Sequence, residues 1–180
     1  MKRIDRELKY TGSILKIYAD TIELDDGNKV VYDYIHHDGA AAVIPVRGDG
    51  KILMVRQFRN ALDRYTFEIP AGKLDSPNEK GIVCASRELE EETGYRSDCL
   101  EQLITLRTML AFCNEKIEIF VATNLKKSQQ NLDPDEFIDV FAFTVDELKQ
   151  KIFEGEIQDA KTVAALMAYD VKYNQKLLRE

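Results

Sequence analysis

Long apolar runs are missing from this sequence. Nowhere do about 18 uncharged apolar residues follow one another, and the opening "MKRIDRELKYTG" carries basic charge with no apolar segment behind it, so neither a membrane span nor an export signal is marked. Cysteine is scarce. Cys84, Cys99 and Cys113 are odd in number and too far apart for a CxxC site, which sets aside a disulfide framework and a zinc ribbon and reads as reduced thiols in the cytoplasm. Histidine is scarcer still: the tandem His36 and His37 have no third ligand nearby, and no zinc site is expected there. Basic charge is in deficit, 25 Lys and Arg against 32 Asp and Glu for a net charge of −7, which argues against nucleic acid or an anionic membrane as partner. No internal repeat or low-complexity tract appears. What remains is an ordinary soluble globular composition, 44% hydrophobic and 32% charged over 180 residues, long enough for one well-buried core.

Along the chain, residues 1–38 alternate apolar and polar, with "LDDGN" as a hairpin turn between "DTIEL" and "KVVYDYI". They read as a small antiparallel β appendage in front of a main domain over 39–180. "GAAAVIPV" and "KILMVRQFR" follow as strands around an "RGDG" turn, the first apolar enough to be central in a sheet. "SPNEKGIVCASRELEEETG" predicts a helix with Ser76 as N-cap, Pro77 at N1, Glu79 at N3 and Gly94 just past its end. Strands are expected near 100–108, 116–122 and 137–143, then a helix opened by the capping box "TVDE" from Thr144, then a last helix from about Asp159. The one long connection, "NLKKSQQNLDPDE", is polar and turn-rich, and long loops often carry function.

Against this ordinary background "RELEEETGY", residues 87–95, packs four glutamates into five positions. At about 100° per residue Glu88, Glu91 and Glu92 share one arc of the helix while Glu90 points elsewhere, and Ile82, Ala85, Leu89 and Thr93 form the adjacent face, expected to be buried. Like charges near 4 Å repel by roughly 1 to 4 kcal/mol per pair, so something positive must offset the cluster. Glu88 and Glu92 occupy each other's i,i+4 position and no lysine follows, which makes a divalent cation the better candidate than a solvated acidic face.

These residues, read from Gly72 through Glu79, Arg87, Glu88, Glu91, Glu92 and Gly94 to Tyr95, resemble the Nudix box: glycine, five residues, Glu, seven residues, then R-E-U-x-E-E-x-G-U with U aliphatic or aromatic. Six residues rather than five separate Gly72 from Glu79, an insertion that lies before the helix and leaves the carboxylate spacing untouched. The likeness extends to the ADP-ribose pyrophosphatase branch of the family through "VRQFRNAL", "FEIPAGKLD" and "GEIQDAKTVAAL", and the amino-terminal hairpins resemble that branch's dimer-forming appendage. Where the branch commonly has "SPGF", this chain has "TMLAFCNEK", with Leu110 and Ala111 at the Pro-Gly positions. The substrate expected is therefore ADP-ribose, a related nucleoside diphosphate sugar, or another compound of similar shape.

The resemblance implies an α/β/α sandwich around a mixed β-sheet, a homodimer, and hydrolysis of a pyrophosphate bond with magnesium or manganese. Carboxylates suit such hard ions. It makes Glu88 and Glu92 the main metal ligands, with Glu91 in the same cluster and the Ala71 carbonyl as a backbone ligand, and gives Arg87 the task of holding a carboxylate in place. For Glu79, capping Ser76 is a sufficient explanation. In this branch the general base comes from an acidic loop outside the box, here "LDPDEFIDV"; Glu136 is the choice, with Asp133 and Asp135 as competitors and a solvated turn around Pro134 as the plain reading of all three. Arg56 and Arg59 are candidates for the substrate phosphates and Glu68 for the metal or ribose, while Phe58 and Tyr65 either stack on a base or belong to the core. The alternative class, a non-catalytic Nudix module that senses a nucleotide, usually has an eroded box and an attached DNA-binding domain; here Glu88, Glu91 and Glu92 are all present.

Overall fold

The computed structural model describes residues 1–12, 15–134 and 136–175. In chain order it contains β1 (Lys2–Thr11), β2 (Lys16–Glu23), β3 (Lys29–His36), β4 (Ala40–Pro45), β5 (Ile52–Arg59), β6 (Arg64–Glu68), β7 (Ala71–Lys73), α1 (Gly81–Thr93), β8 (Tyr95–Arg96), β9 (Cys99–Arg107), β10 (Lys116–Thr123), β11 (Lys126–Lys127), β12 (Asp139–Phe143), α2 (Val145–Phe153) and α3 (Ala160–Tyr169), which runs on into a π-turn over Asp170–Asn174.

The central sheet has the order β7-β4-β10-β9, with β4 and β10 parallel and the outer pairs antiparallel. Its middle strand β4 is apolar throughout because it is covered on both faces, as the run "AAAVIP" anticipates. Ala41 and Val43 face α1, where they meet Cys84, Ala85, Leu89, Phe120 and Ala122. Ala42 and Ile44 point the other way, into a larger core with Ile52, Met54, Ile119, Leu148 and Leu166. That second face is closed by α2 and α3 together with the antiparallel sheet β12-β5-β6, so the sandwich has a second sheet beside its helices. The β1-β2-β3 sheet is tied to the rest where Ile35 bridges to Cys113 and where the Asn114 side chain accepts from the His37 N–H at 2.7 Å and donates to the His37 carbonyl at 3.1 Å.

Helix α1 ends where expected, at Gly94 in the left-handed region (φ 69°), but begins five residues later than Ser76. Pro77 instead occupies a turn closed by the Glu79 N–H on the Ser76 carbonyl (3.1 Å), and the Glu79 carboxylate accepts from the Asp75 N–H at 2.6 Å. The start is set by a tertiary contact: a Cβ on Gly81 would lie 2.2 Å from a Glu118 carboxylate oxygen on β10, so the helix enters against the sheet through a glycine. Entering at the rim also rotates the buried arc to Cys84, Ala85, Glu88, Leu89, Glu92 and Thr93, and leaves Ile82, expected inside, exposed. The helices at Thr144 and Asp159 match their sequence signals, the first with both hydrogen bonds of the capping box present.

The rotated arc separates two substitutions that the helical wheel alone would group together. Leu89→Ala should destabilise the fold by about 2 to 5 kcal/mol because it opens a cavity against β4. Ile82→Ala should change stability by no more than about 0.5 kcal/mol. Urea unfolding followed by circular dichroism measures both.

Candidate active site

Two short pieces of chain converge on the carboxyl-terminal half of α1. Strand β7 lies antiparallel to the edge of β4 with Gly72 opposite Ala41. Any side chain on Gly72 would collide with the helix, since its Cβ would sit 1.9 Å from Glu88 Oε1. The polar loop after β11 caps the helix: the Ser128 and Asn131 N–H groups donate to the carbonyls of Gly94 and Glu91 at 2.7 and 3.0 Å, and Gln130 Nε2 donates to that of Glu92 at 2.7 Å. That anchoring leads Asp133 and Glu136 back over the carboxylates. Ala71, Gly72, Arg87, Glu88, Glu91 and Glu136 thus line one cavity of about 440 Å³.

The charges there are far from balanced. Glu88 and Glu92 are 8% and 3% exposed, in a site that also holds Glu91 and Glu136. Arg87 is the cation bonded to them: its Nη1 donates to Glu88 Oε1 at 2.6 Å and to Glu91 Oε2 at 3.0 Å, its Nη2 to the Lys73 carbonyl at 3.0 Å, and its Nε faces Asp75 and Glu79 at 3.3 and 3.7 Å. Burial pushes the Glu88 carboxyl up to about 7, against the pull of Arg87 and with help from Glu91 and Glu136. Burial, then the charge of Glu88, raises Glu92 as well, although the Ala71 N–H donates to Glu92 Oε2 at 3.1 Å. Among the described residues no three His, Cys, Asp or Glu side chains stand grouped as a ready-made metal cage. The donor set nevertheless suits a hard divalent cation, because carboxylates are hard oxygen ligands and burial that disfavours their negative charge makes nearby positive charge favourable.

A second cavity of about 560 Å³ shares Ala71, Gly72 and Lys73 with the first and is lined on its far side by Arg59, Asp159 and Lys161. Arg59, last residue of β5, holds Glu68 side-on through Nε and Nη2, both at 2.7 Å. Lys161 reaches the same carboxylate at 2.5 Å and Thr66 donates to it at 2.7 Å. Burial alone would raise Glu68, but the Arg59 hydrogen bonds and Lys161 override it and hold the carboxyl at about 2.

This geometry places a loop, a helix and a glycine strand as the quoted box requires, and a family comparison bears on the same residues. The NUDIX domain model matches residues 36–166. The chain belongs to the Nudix family. It is 42% identical over 167 residues to a methanol dehydrogenase activator of Bacillus methanolicus, covering 92% of this chain and 90% of that one, and 36% identical over 173 residues to an ADP-ribose pyrophosphatase of Bacillus subtilis, covering 95% and 93%. Its fold is similar to the crystal structure of an ADP compounds hydrolase, with a TM-score of 0.87 at 20% identity over 99% of this chain and 96% of that one.

Within the Nudix domain, the structure brings Ala71, Arg87, Glu88, Glu91, Glu92 and Glu136 together, and sets Arg59 and Glu68 beside them at the second cavity. Asp133 lines the first cavity with Glu136; Asp135 lies outside the described residues. Arg56 goes elsewhere. It and Arg59 both lie within β5, three residues apart, and an odd separation on a strand sends side chains to opposite faces, so Arg56 stacks over Tyr65 at 4.3 Å and approaches Asp139 at 3.6 Å. Phe58 and Tyr65 pair edge to face at 5.6 Å and are about half exposed, outside the core. Lys161 was not a sequence candidate. Its only signal was a place inside "GEIQDAKTVAAL", and its partner Glu68 is 93 residues away.

The buried acids give a pH dependence with a defined sign. The folded Glu88 carboxyl, at about 7 against an ordinary 4.5, keeps a proton that the unfolded chain loses, so its contribution to stability is present below about 4.5 and is lost as pH rises towards 7. In metal-free buffer the melting temperature of Glu88→Gln should therefore fall less than that of the wild type between these pH values. Equal slopes in thermal melts would show that Glu88 is ionised throughout.

Proposed function

We propose that this protein hydrolyses the pyrophosphate bond of ADP-ribose or a related nucleoside diphosphate sugar, with magnesium as the preferred ion and manganese as a substitute, giving AMP or the corresponding nucleoside monophosphate and a sugar phosphate. One observation carries this reading: Glu136 faces Glu88 and Glu91 across a single cavity whose wall of Ala71, Gly72 and Lys73 also borders the cavity lined by Arg59. Acidic residues to hold a cation and an arginine to hold phosphates lie back to back, which is the layout a diphosphate bridging the two would need.

Glu88 and Glu92 would hold the ion, with Glu91 and the Ala71 carbonyl beside them. Such an ion neutralises phosphate oxygens and makes bound water more acidic. Arg87, shared between Glu88 and Glu91, keeps those carboxylates oriented. Glu136 takes a proton from the attacking water as its oxygen bonds to phosphorus, while the bridging P–O bond breaks and its electrons leave with the departing phosphate. Arg59 presents a guanidinium edge to the phosphates, with Glu68 fixing its plane. The Phe58–Tyr65 pair, with Arg56 over Tyr65, offers aromatic surface for a base outside the two cavities.

Two further readings belong to this proposal. Residues 1–38 form a dimerisation appendage to a Nudix domain over 39–180: Leu8, Tyr10, Val31 and Tyr32 of its sheet are all more than half exposed, apolar surface that a second copy would cover. The three cysteines are unpaired thiols, which suits a cytoplasmic enzyme. Light scattering should return twice the chain mass of 20.7 kDa; a monomer at micromolar concentration would remove the dimer.

A substrate panel with magnesium, read as AMP and sugar phosphate release, tests the reaction, and a pair of variants tests the base. Glu136→Gln should lower kcat by about a hundredfold or more with little change in KM, because a base acts in the transition state. Asp133→Asn should cost less than about tenfold, the range left to a neighbour that only shapes the loop. The reverse order would move the base to Asp133; near-normal turnover in both would move it to another residue, with Glu91 first.

A further inference from the structure

The clamp between β5 and α3 contains a residue that the reaction above leaves without a task. Lys161 is nearly buried, its side chain 12% exposed, and lies between two acids: Glu68 Oε2 at 2.5 Å and Asp159 Oδ2 at 2.9 Å. A lysine this enclosed gives up most of its hydration, so its position needs a reason. Asp159 is fixed from below as the N-cap of α3, accepting from the Thr162 N–H at 3.0 Å and the Thr162 hydroxyl at 2.6 Å. Thr162 in turn accepts from the Ile69 N–H at 3.0 Å, so the first turn of α3 grips both the Glu68 carboxylate and the peptide that follows it on the way to Ala71.

The consequence falls on Arg59. Its Nε and Nη2 are committed to Glu68, which leaves the Nη1 edge of a planar fork outside that pair, on a side chain that is 42% exposed and lines the cavity. The plane of that guanidinium is set by the plane of the Glu68 carboxylate. With Arg59 as its only cation the buried carboxylate would be free to turn about its last torsion, and Arg59 would turn with it. Lys161 and Thr66 bind different oxygens of Glu68, Oε2 and Oε1, and so fix the carboxylate plane from both sides.

We propose that Lys161 is a positioning residue for phosphate recognition: by holding the Glu68 carboxylate in one orientation from α3, it aims Arg59 at the phosphates of a nucleoside diphosphate ligand. Lys161 acts through Glu68 and Arg59, not by touching the ligand. This inference rests on the functional reading above as far as the ligand class is concerned, and binding measured apart from turnover distinguishes the two.

The test is a double-mutant cycle read by calorimetric titration of ADP-ribose in EDTA, where binding is measured without turnover, alongside kinetics with magnesium. Lys161→Met should weaken binding about tenfold and raise KM similarly, with kcat within about threefold, the split expected when an interaction made equally in ground and transition states is lost. Arg59→Leu should weaken binding by a comparable factor, and the double variant should be no weaker than Arg59→Leu alone to within about twofold, because coupled residues are not additive. Lys161→Arg should recover part of the loss. Should Lys161→Met fail to fold, Glu68→Gln/Lys161→Met removes the buried Glu68–Lys161 pair together and, with the carboxylate that aims Arg59 gone, should weaken binding at least as much as is expected of Lys161→Met and no more than Arg59→Leu; unchanged binding in it would overturn the proposal. Losses that multiply to about a hundredfold in the double variant would mean that Lys161 acts independently of Arg59 and would overturn the proposal, as would unchanged binding in Lys161→Met or no wild-type binding at all. Wild-type binding with the coupled pattern but no cleavage would uphold the positioning role and overturn the proposed reaction instead.

Discussion

The structure depends on a cluster of negative charge driven into the protein's own wall. Glu88 and Glu92 lie on the same helical arc as Cys84, Ala85 and Leu89, which fill the space against β4, so packing the helix carries its carboxylates inside with it. Burying carboxylates with too little opposite charge costs a fold heavily, and here burial raises both groups above their ordinary range. Arg87 offsets part of this by sharing Nη1 between Glu88 and Glu91. The apolar residues of the helix hold its shape while its acidic face stays under-compensated.

Around that cluster the remaining elements act as spacers of fixed size. Gly72 is the point where a strand passes so close to Glu88 that no side chain fits, and the same strand forms the partition between the two cavities. On the other side the loop at 128–131 satisfies the last carbonyls of α1, which every helix end leaves without internal partners. One set of hydrogen bonds therefore completes the helix and fixes where the acidic loop departs. Glu136 thus follows a loop whose start is fixed by helix capping.

What the sequence made legible was what depends on near neighbours. The capping box from Thr144 to Glu147, the N-cap at Asp159 and the Gly94 stop are local arrangements of a few residues, and each forms where its spelling indicates. The spacing of Glu88, Glu91 and Glu92 is likewise a property of one helix. Ser76 carried an equally good cap signal, yet the helix starts at Gly81, because Asp75 and Glu79 form their own turn beside Arg87 and because Glu118 on a distant strand leaves room only for a glycine. Ile82 then falls outside for the same reason. Arg56 and Arg59 read as a pair of phosphate candidates at an offset of three, but within a strand that runs to Arg59 that offset sends them to opposite faces.

Lys161 marks the sharper limit. Nothing in its own segment distinguishes it from an exposed lysine in the first turn of a helix, where positive charge is if anything unfavourable next to the positive end of the helix dipole. Its position makes sense only once β6 delivers Glu68 to the same point, and the two residues are linked by topology across most of the chain. The acidic half of the site is thus written on one helix and can be read from spacing, whereas the basic half is assembled from β5, β6 and α3 and exists only in the fold. A substitution on α1 alters one cavity directly; a substitution at the start of α3 reaches Arg59 through the Glu68 carboxylate, and reaches Ala71 through Thr162 and the Ile69 peptide that precedes it. The two cavities are therefore coupled through a short piece of backbone, Ile69 to Lys73, held at one end by α3 and at the other by the helix that carries the acids.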